Sequence, residues 1–461
     1  MTNTLKKNNT KFCMTLIMLY LFVMLTEFLI LAFQFRELNV DIFGVRVIQF
    51  VLQFSFLLSF LLIVYYRNKN ISFVLILCFQ IICSVFLWSF YFYIAKEPLG
   101  YDANDALVYQ TILENSFGKD YGELIKNLKA NPRTASLSDW GYPTYRYLIY
   151  KLVPDLETGL LVTVIMNAII HSISSIYVFK LAKRFISYNA SIFVMSLWGL
   201  SATSIHVNTC GLKETIFAFF TVLAVYNLVE IEYGNKVKRT FLFFVNITFI
   251  WFFRNYVSLF LFLTYLGCYP FRKLFYKFYP IIFICIFLVA FFGMDLLANI
   301  LPELRFVKIG RDKRLIEFFG SAGLVSNLMN FFFAWITPIP RFNSNAQIKQ
   351  IIFSGFSIYK SFFSLFGIYS IYLILKHRNE KFYPILTFMA CNIVLVIITC
   401  NSLDFRFLHP SVYIDLILIV FGFREVEKNG VNLTKKAKWN ISIVILLIFS
   451  FINLLMLVYN R

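Results

Sequence analysis

Apolar residues run through this chain in blocks of about 20, separated by short polar stretches and one long one. Blocks of that length suit membrane-spanning helices, because roughly 20 apolar residues cross about 30 Å of hydrocarbon. They recur at 12–35, 43–65, 72–95, 159–179, 188–207, 214–229, 280–298, 355–375, 382–400, 407–423 and 439–459. The run from 240 to 269 is long for one crossing and short for two, with Arg254-Asn255 in its middle. It reads as two short crossings or a re-entrant hairpin with Arg254 near the turn. The pattern therefore predicts an all-α, polytopic integral membrane protein with about 11–13 transmembrane segments. Lys6, Lys7 and Lys11 before the first block resemble a signal peptide, but the apolar run is too long and lacks a small-residue cleavage site. A retained span is expected.

The polar stretches set the organisation. The chain reads as one integral membrane domain, 1–461, with no linker: a two-helix extension over 1–71, a core over 72–270, and further helices over 271–461. Two outward loops are large, 96–158 in the core and 299–352 after it, and short helices are expected in both. No period of 20–50 residues repeats, and the two halves are not inverted copies, which argues against a secondary transporter.

Composition agrees with this class: 59% of residues are hydrophobic and 20% aromatic, with mean hydropathy +0.72. A soluble fold of this size could not bury that much apolar surface. The net charge of +19 invites a nucleic-acid reading, but its placement explains it better. With the N-terminus in the cytoplasm, the segments 1–11, 66–71, 180–187, 230–239, 270–279, 376–381 and 424–438 fall inside. Together they hold about half of the Lys and Arg, the positive-inside asymmetry. Lipid headgroups account for these charges, no nucleic-acid motif is present, and a multi-pass protein of the cytoplasmic (inner) membrane is expected. The eight cysteines form no CxxC pair and the four histidines show no metal spacing.

Candidate chemistry gathers in the outward segments. Loop 96–158 carries Asp102 and Asp105 in GYDANDALVYQ, followed by SDWGYPTYRYLIYKL. Ala106, Tyr109, Ile112 and Leu113 share a helical face, and a helix through Asp102, Asp105 and Tyr109 aims all three one way. Carboxylates there could take a proton from an acceptor hydroxyl or hold a divalent cation; equally, Asp102 or Asn104 could cap the helix. TYRYLIYKLV reads as an interfacial helix whose Tyr and Lys suit the headgroup level. Arg254 sits in an apolar run, where a mid-bilayer guanidinium costs about 2.5–3.5 kcal/mol. It either snorkels at a turn or faces a phosphate. Lys213 and Glu214 open another span, as an ion pair or as a cation with its orienting acid. Asp404, Arg406 and His409 end a further one, and Glu27 and Asp415 lie within spans with no role assigned.

Together these motifs resemble the GT-C class of polytopic glycosyltransferases, over about 90–270 and again near 400–423. YDANDALVYQTI is similar to that family's acidic first outer loop, and WGYPTYRYLIYKL to the segment entering the next span. SLWGLSATSIHVNTCGLKETIFAFF resembles its short-looped helix pair with an acid at the outer bend. FFRNYVSLFLFL resembles its arginine hairpin, and DFRFLHPSVYIDLIL its late Arg-aromatic motif. The departures are the two spans before the core, Asn255 where Pro is common after the arginine, and a DxxD pair without adjacent acids.

The resemblance implies a membrane glycosyltransferase acting at the outer face in surface polysaccharide or glycoconjugate assembly. Its donor would be a polyprenyl-phosphate-linked sugar, and its acceptor a saccharide or lipid-linked saccharide. Asp102 or Asp105 would act as catalytic base. Lys213, Glu214, Arg254, Arg406, Tyr109 and His409 would bind substrate and phosphate, with Mg or Mn as the divalent cation if one is used. O-antigen and capsule repeat-unit polymerases look similar at this level. A polysaccharide flippase or transporter is the alternative from another class.

Overall fold

The computed structural model describes residues 51–52, 55–56, 58–100, 103–288, 304–321, 323–336, 363–400 and 405–428, and all regular structure among them is helical. The expected spans at 12–35 and 439–459 lie outside these residues, as do Asp102, Asp404, much of loop 299–352 and parts of the blocks at 43–65, 280–298 and 355–375. Among the described residues, four helices are long and apolar enough to cross a membrane: Lys69–Ile94, Leu156–Ala182, Tyr188–Thr209 and Glu380–Ile398. Asn255–Cys268, Tyr279–Leu288 and Phe363–Lys376 are apolar but shorter.

Helix α1, Lys69–Ser89, is capped by the Asn68 side chain and leads through a π-helical turn, Phe90–Ile94, into the long polar segment. That segment is folded, as α2 (Ala103–Ser116), α3 (Tyr121–Ala130) and α4 (Gly141–Tyr150). Because α2 starts at Ala103, Asn104 lies inside its first turn and is no cap. Helix α5, Leu156–Ala182, starts where the Asp155 carboxylate accepts from Thr158 N at 2.7 Å. Small residues, among them Ala168, Ser172, Ser174 and Ser175, line its buried face, and small residues let helix backbones approach closely in apolar surroundings. At Gly159 a Cβ would stand 2.5 Å from the Tyr150 ring, so this glycine is what seats α4 on α5.

The span Tyr188–Thr209 is interrupted at Leu200–Ser201. It divides into α6 (Tyr188–Gly199) and α7 (Ala202–Thr209). Gln80 of α1 donates to the Gly199 carbonyl at 2.7 Å and reaches that of Ser201 at 3.5 Å. A carbonyl freed by a helix break has no water to turn to in an apolar interior, so a side chain must supply the donor. Helix α8, Glu214–Glu230, then α9, Lys236–Trp251, and α10, Asn255–Cys268, run back and forth across the molecule. The run from 240 to 269 is thus a helical hairpin with Arg254 at its junction, and Ser258 Oγ donates to Ile247 O at 2.7 Å across it. Helices α11, Tyr383–Ile398, and α12, Val412–Lys428, close the bundle, α11 against α10 and α12 against α6. Between them the turn His409–Ser411 sets His409 against Trp198, ring centroids 5.0 Å apart.

The bundle has two chemically distinct poles. At one, Arg184 grips Glu230 through Nε (2.5 Å) and Nη2 (2.8 Å), Arg272 meets Glu232 at 2.8 Å, and Arg239 donates to Asn227 at 3.0 Å. These are residues of the basic connecting segments, so their charges tie helix ends together. The other pole carries α2–α4, the α7–α8 bend, the α9–α10 junction and the turn before α12. Between the poles the outward faces present Ile82, Phe241, Leu263 and Ile281, exposed apolar surface of the kind that suits lipid.

Candidate functional site

The polar residues of the second pole come together through two ion pairs that sequence neighbours make in different directions. Lys213 and Glu214 are adjacent at the start of α8, and consecutive helical residues do not face one another. Lys213 Nζ donates to Asp139 Oδ1, from the short 3-10 turn Leu137–Asp139. Glu214 Oε1 accepts from Arg254 Nη2 at 2.7 Å, and Arg254 Nη1 also donates to Tyr256 at 3.0 Å. Glu214 is 2% exposed and Arg254 9%. The Arg254 guanidinium lies between the rings of Phe217 (5.4 Å) and Phe407 (4.8 Å), a desolvated slot in which cation–π attraction is strongest. The α9–α10 junction is held against α4 by Gly141 N donating to Phe252 O at 2.9 Å. A Cβ on Gly141 would lie 2.9 Å from that oxygen and from the Phe253 ring, so no other residue fits without displacement.

Tyr109 reports how these charges converge. It is buried on α2, edge-on to Tyr142 at 5.7 Å. Its phenol lies well above the ordinary value, first because it is buried, then because Asp139, Glu214 and Asp105 all impose negative potential on it; Arg254 opposes them. The phenol therefore stays protonated and available as a donor. Asp105 itself is exposed on the first turn of α2, while Tyr109 one turn on is buried, so the expected common direction gives them different surroundings. His409 is buried against Trp198. The side chain of Arg406 lies outside the described residues, although its neighbour Phe407 contacts Arg254.

Two residues of this pole escaped the sequence reading. Asp139 was legible only as one acid in SDWGYP. Arg146 sits in TYRYLIY, where Tyr142 and Tyr150 stand four residues to either side, so both rings share its helix face. That spacing was the available signal. The segment is no interfacial helix with its tyrosines at a headgroup: Tyr142, Arg146, Tyr147 and Tyr150 are buried in protein. The Arg146 guanidinium is stacked near Tyr150 (5.3 Å) and Tyr142 (5.8 Å), and its Nη2 donates to Gln110 Oε1 and Tyr150 Oη, both at 2.5 Å. Its Nε and Nη1 have no hydrogen-bond partner among the described residues. Burying an ion costs several kcal/mol after relaxation, so a guanidinium left this way needs a countercharge or a role.

Below the ion pairs a neutral network supports the α7–α8 bend. Thr215 donates to Asn208 at 2.6 Å, Asn208 to Gln80 at 3.1 Å, and Asn167 to the Asn208 carbonyl at 3.3 Å. Every member is buried, which fixes the bend as a rigid base for Lys213 and Glu214. A cavity of about 490 Å³ lies elsewhere, near Arg67, Asn189, Phe193 and Arg424, and includes none of the expected site residues. The ion-pair geometry, rather than this cavity, locates the candidate site, because polar convergence carries chemistry and an apolar hollow does not. Among the described residues no group of three His, Cys, Asp or Glu is placed to hold a metal ion, and Asp139 is already engaged by Lys213.

No protein-family model matches the chain, and no curated protein or solved structure does.

Proposed function

We propose that this chain is a membrane glycosyltransferase that moves a sugar from a polyprenyl-phosphate-linked donor to a hydroxyl of a saccharide or lipid-linked acceptor. In this reading the chain is polytopic, with about 11–13 spans. The basic pole faces the cytoplasm, following the positive-inside rule, and the pole bearing α2–α4 faces outward. The acceptor oxygen attacks the anomeric carbon, the carbon–oxygen bond to phosphate breaks, and the electron pair leaves on the phosphate. Asp105 takes the acceptor proton. Fixed positive groups at the α7–α8 bend and the α9–α10 junction stabilise the charge that grows on the leaving phosphate, which a water-poor setting strengthens.

One observation carries the reading. Segments far apart in the chain bring Asp139, Lys213, Glu214 and Arg254 to one pole, and the fields of three of them, with that of Asp105, meet at Tyr109.

The test is transfer of labelled sugar by the full chain in lipid nanodiscs. Wild type is expected to transfer from a monosaccharide polyprenyl-phosphate donor, and Asp105→Asn to fold normally and lose at least about a hundredfold in rate, the usual worth of a general base. Equal rates for both proteins would remove Asp105 from the base role. Use of diphosphate-linked oligosaccharides alone would reassign the chain as a repeat-unit polymerase. Labelling of introduced cysteines in loop 96–158 only from the cytoplasm would defeat both.

A further inference from the structure

The cavity of about 490 Å³ lies at the basic pole, between α6, α12 and the helix that ends at Tyr66. Trp198 near the end of α6 packs on Tyr413 at the start of α12, ring centroids 5.6 Å apart, so the two helices run antiparallel away from that contact. Both walls change character on the way. Leu197 and Leu416 form the inner end and are buried. Asn189 and Arg424, about 12 Å further along each axis, form the outer end. The lining residues between them on both helices are all apolar. Phe193 of this wall is 38% exposed, so the hollow is not sealed.

The outer end is positive. Arg67 lines it from the turn before α1, with Nε donating to Val64 O at 3.1 Å, and Arg424 lines it from the last turns of α12. The lining holds no acid, and among the described residues neither guanidinium forms an ion pair. Other arginines of this pole do, Arg184 with Glu230 and Arg272 with Glu232. The first turn of α6 adds to the positive potential, because its N-cap Ser187 gives no side-chain bond to the leading amides. Tyr65 and Tyr66, 56% and 53% exposed beside Arg67, are side chains of the kind that settle where hydrocarbon meets water. A hollow that is apolar in depth and doubly cationic at its rim matches a molecule with an anionic head and a hydrocarbon tail. A soluble anion would leave the apolar depth unfilled.

We propose that this cavity holds one anionic phospholipid of the leaflet at the basic pole, its phosphate between Arg67 and Arg424 and an acyl chain reaching toward Leu197 and Leu416. Basic pockets between membrane helices recognise phospholipid headgroups in this way. The lipid joins the segment before α1 to the end of α12, so its binding stabilises the folded chain. The site lies at the pole opposite the Lys213–Asp139 and Arg254–Glu214 pairs and does not rest on the transferase reading.

The experiment uses the full chain in uncharged detergent, with its thermal unfolding midpoint followed as phosphatidylglycerol is titrated in. Wild type should gain midpoint saturably, and phosphatidylcholine with the same acyl chains should act at least about tenfold more weakly. The double variant Arg67→Gln/Arg424→Gln should respond to phosphatidylglycerol no better than wild type does to phosphatidylcholine. Ala190→Phe, which keeps both arginines and fills the apolar wall, should also lose the response. If Ala190→Phe does not fold, the arginine variant and the wild-type lipid comparison carry the test. Equal response to the two lipids, a response that never saturates, or one unchanged in the arginine variant overturns the site and leaves the arginines to a diffuse headgroup layer. An equal response to glycerol phosphate, which has the anion without the chains, overturns the lipid assignment in favour of a free phosphate. Preference for polyprenyl phosphate over phosphatidylglycerol overturns the phospholipid as occupant.

Discussion

Glu214 and Arg254, forty residues apart, meet at 2.7 Å with both side chains withdrawn from solvent. The pair joins the first turn of α8 to the α9–α10 junction, so it fixes two helix ends against each other. Removing one partner strands a buried charge, which costs about 3–5 kcal/mol, whereas removing both costs far less. Glu214→Leu and Arg254→Met are each expected to lower the unfolding midpoint strongly, and the double variant Glu214→Leu/Arg254→Met to recover most of the loss. Thermal unfolding of the four proteins in one detergent measures the coupling; additive losses would show that the pair contributes nothing as a pair.

Lys213 and Asp139 form the weaker partner of this pair, since the Asp139 side chain is 27% exposed. Asp139→Asn should cost about 1–2 kcal/mol, because water screens part of the charge left behind. Its effect on sugar transfer should be smaller than that of Asp105→Asn, at an exposed side chain. Parallel rate and stability measurements on both variants separate a positioning acid from a reacting one.

Gly141 decides whether α4 sits on the α9–α10 junction. Gly141→Ala places a methyl 2.9 Å from the Phe252 carbonyl and the Phe253 ring, and the backbone must give way. Overpacking of this kind costs about 1–3 kcal/mol. A disulfide or cross-link designed between α4 and the junction should form in wild type and fail in Gly141→Ala.

Gln80 satisfies the break between α6 and α7, and it also accepts from Asn208. Gln80→Leu leaves the Gly199 carbonyl without its Gln80 donor, for about 1–3 kcal/mol, and the Asn208 amide with only the 3.5 Å contact to Ser84. Amide hydrogen exchange across 199–209 should rise in this variant and stay unchanged in α10.

Asp155 supplies a pH-dependent element. Its carboxylate is held below the ordinary value, first by the Thr158 backbone N–H and then by the Thr158 hydroxyl. A carboxylate depressed in the folded state contributes stability present above its unfolded value, about 3.9, and lost as pH falls through the lower folded one. The protection factor of the Thr158 amide, taken against its intrinsic exchange rate at each pH, should therefore fall on acidification below about pH 4. Asp155→Asn keeps an acceptor and should flatten that dependence.

Much of the helix layout was legible before any coordinates. The blocks at 72–95, 159–179 and 382–400 correspond to long apolar helices, because span length and hydropathy are local properties of the chain. The junction at Arg254 was legible because a charge in the middle of an apolar run demands an end or a partner. The break at Leu200–Ser201 was not: nothing in that stretch excludes a helix, and the donor that stabilises the break comes from Gln80, more than a hundred residues away. The burial of Arg146 was not legible for a similar reason. A Tyr-rich amphipathic segment looks alike whether its ring face meets headgroups or protein.

The order of residues by itself determined that the protein is helical, that long apolar helices dominate it, and where charge accumulates between them, since each follows from neighbours within one or two turns. Only the tertiary structure decided which charges neutralise one another. Lys213 and Glu214 are adjacent in the chain, yet α8 turns them toward Asp139 and Arg254. The countercharge of a buried group depends on which distant segment is packed against it. Packing is a property of the whole bundle, and among the described residues it sets the buried Arg146 against the neutral Gln110 and Tyr150.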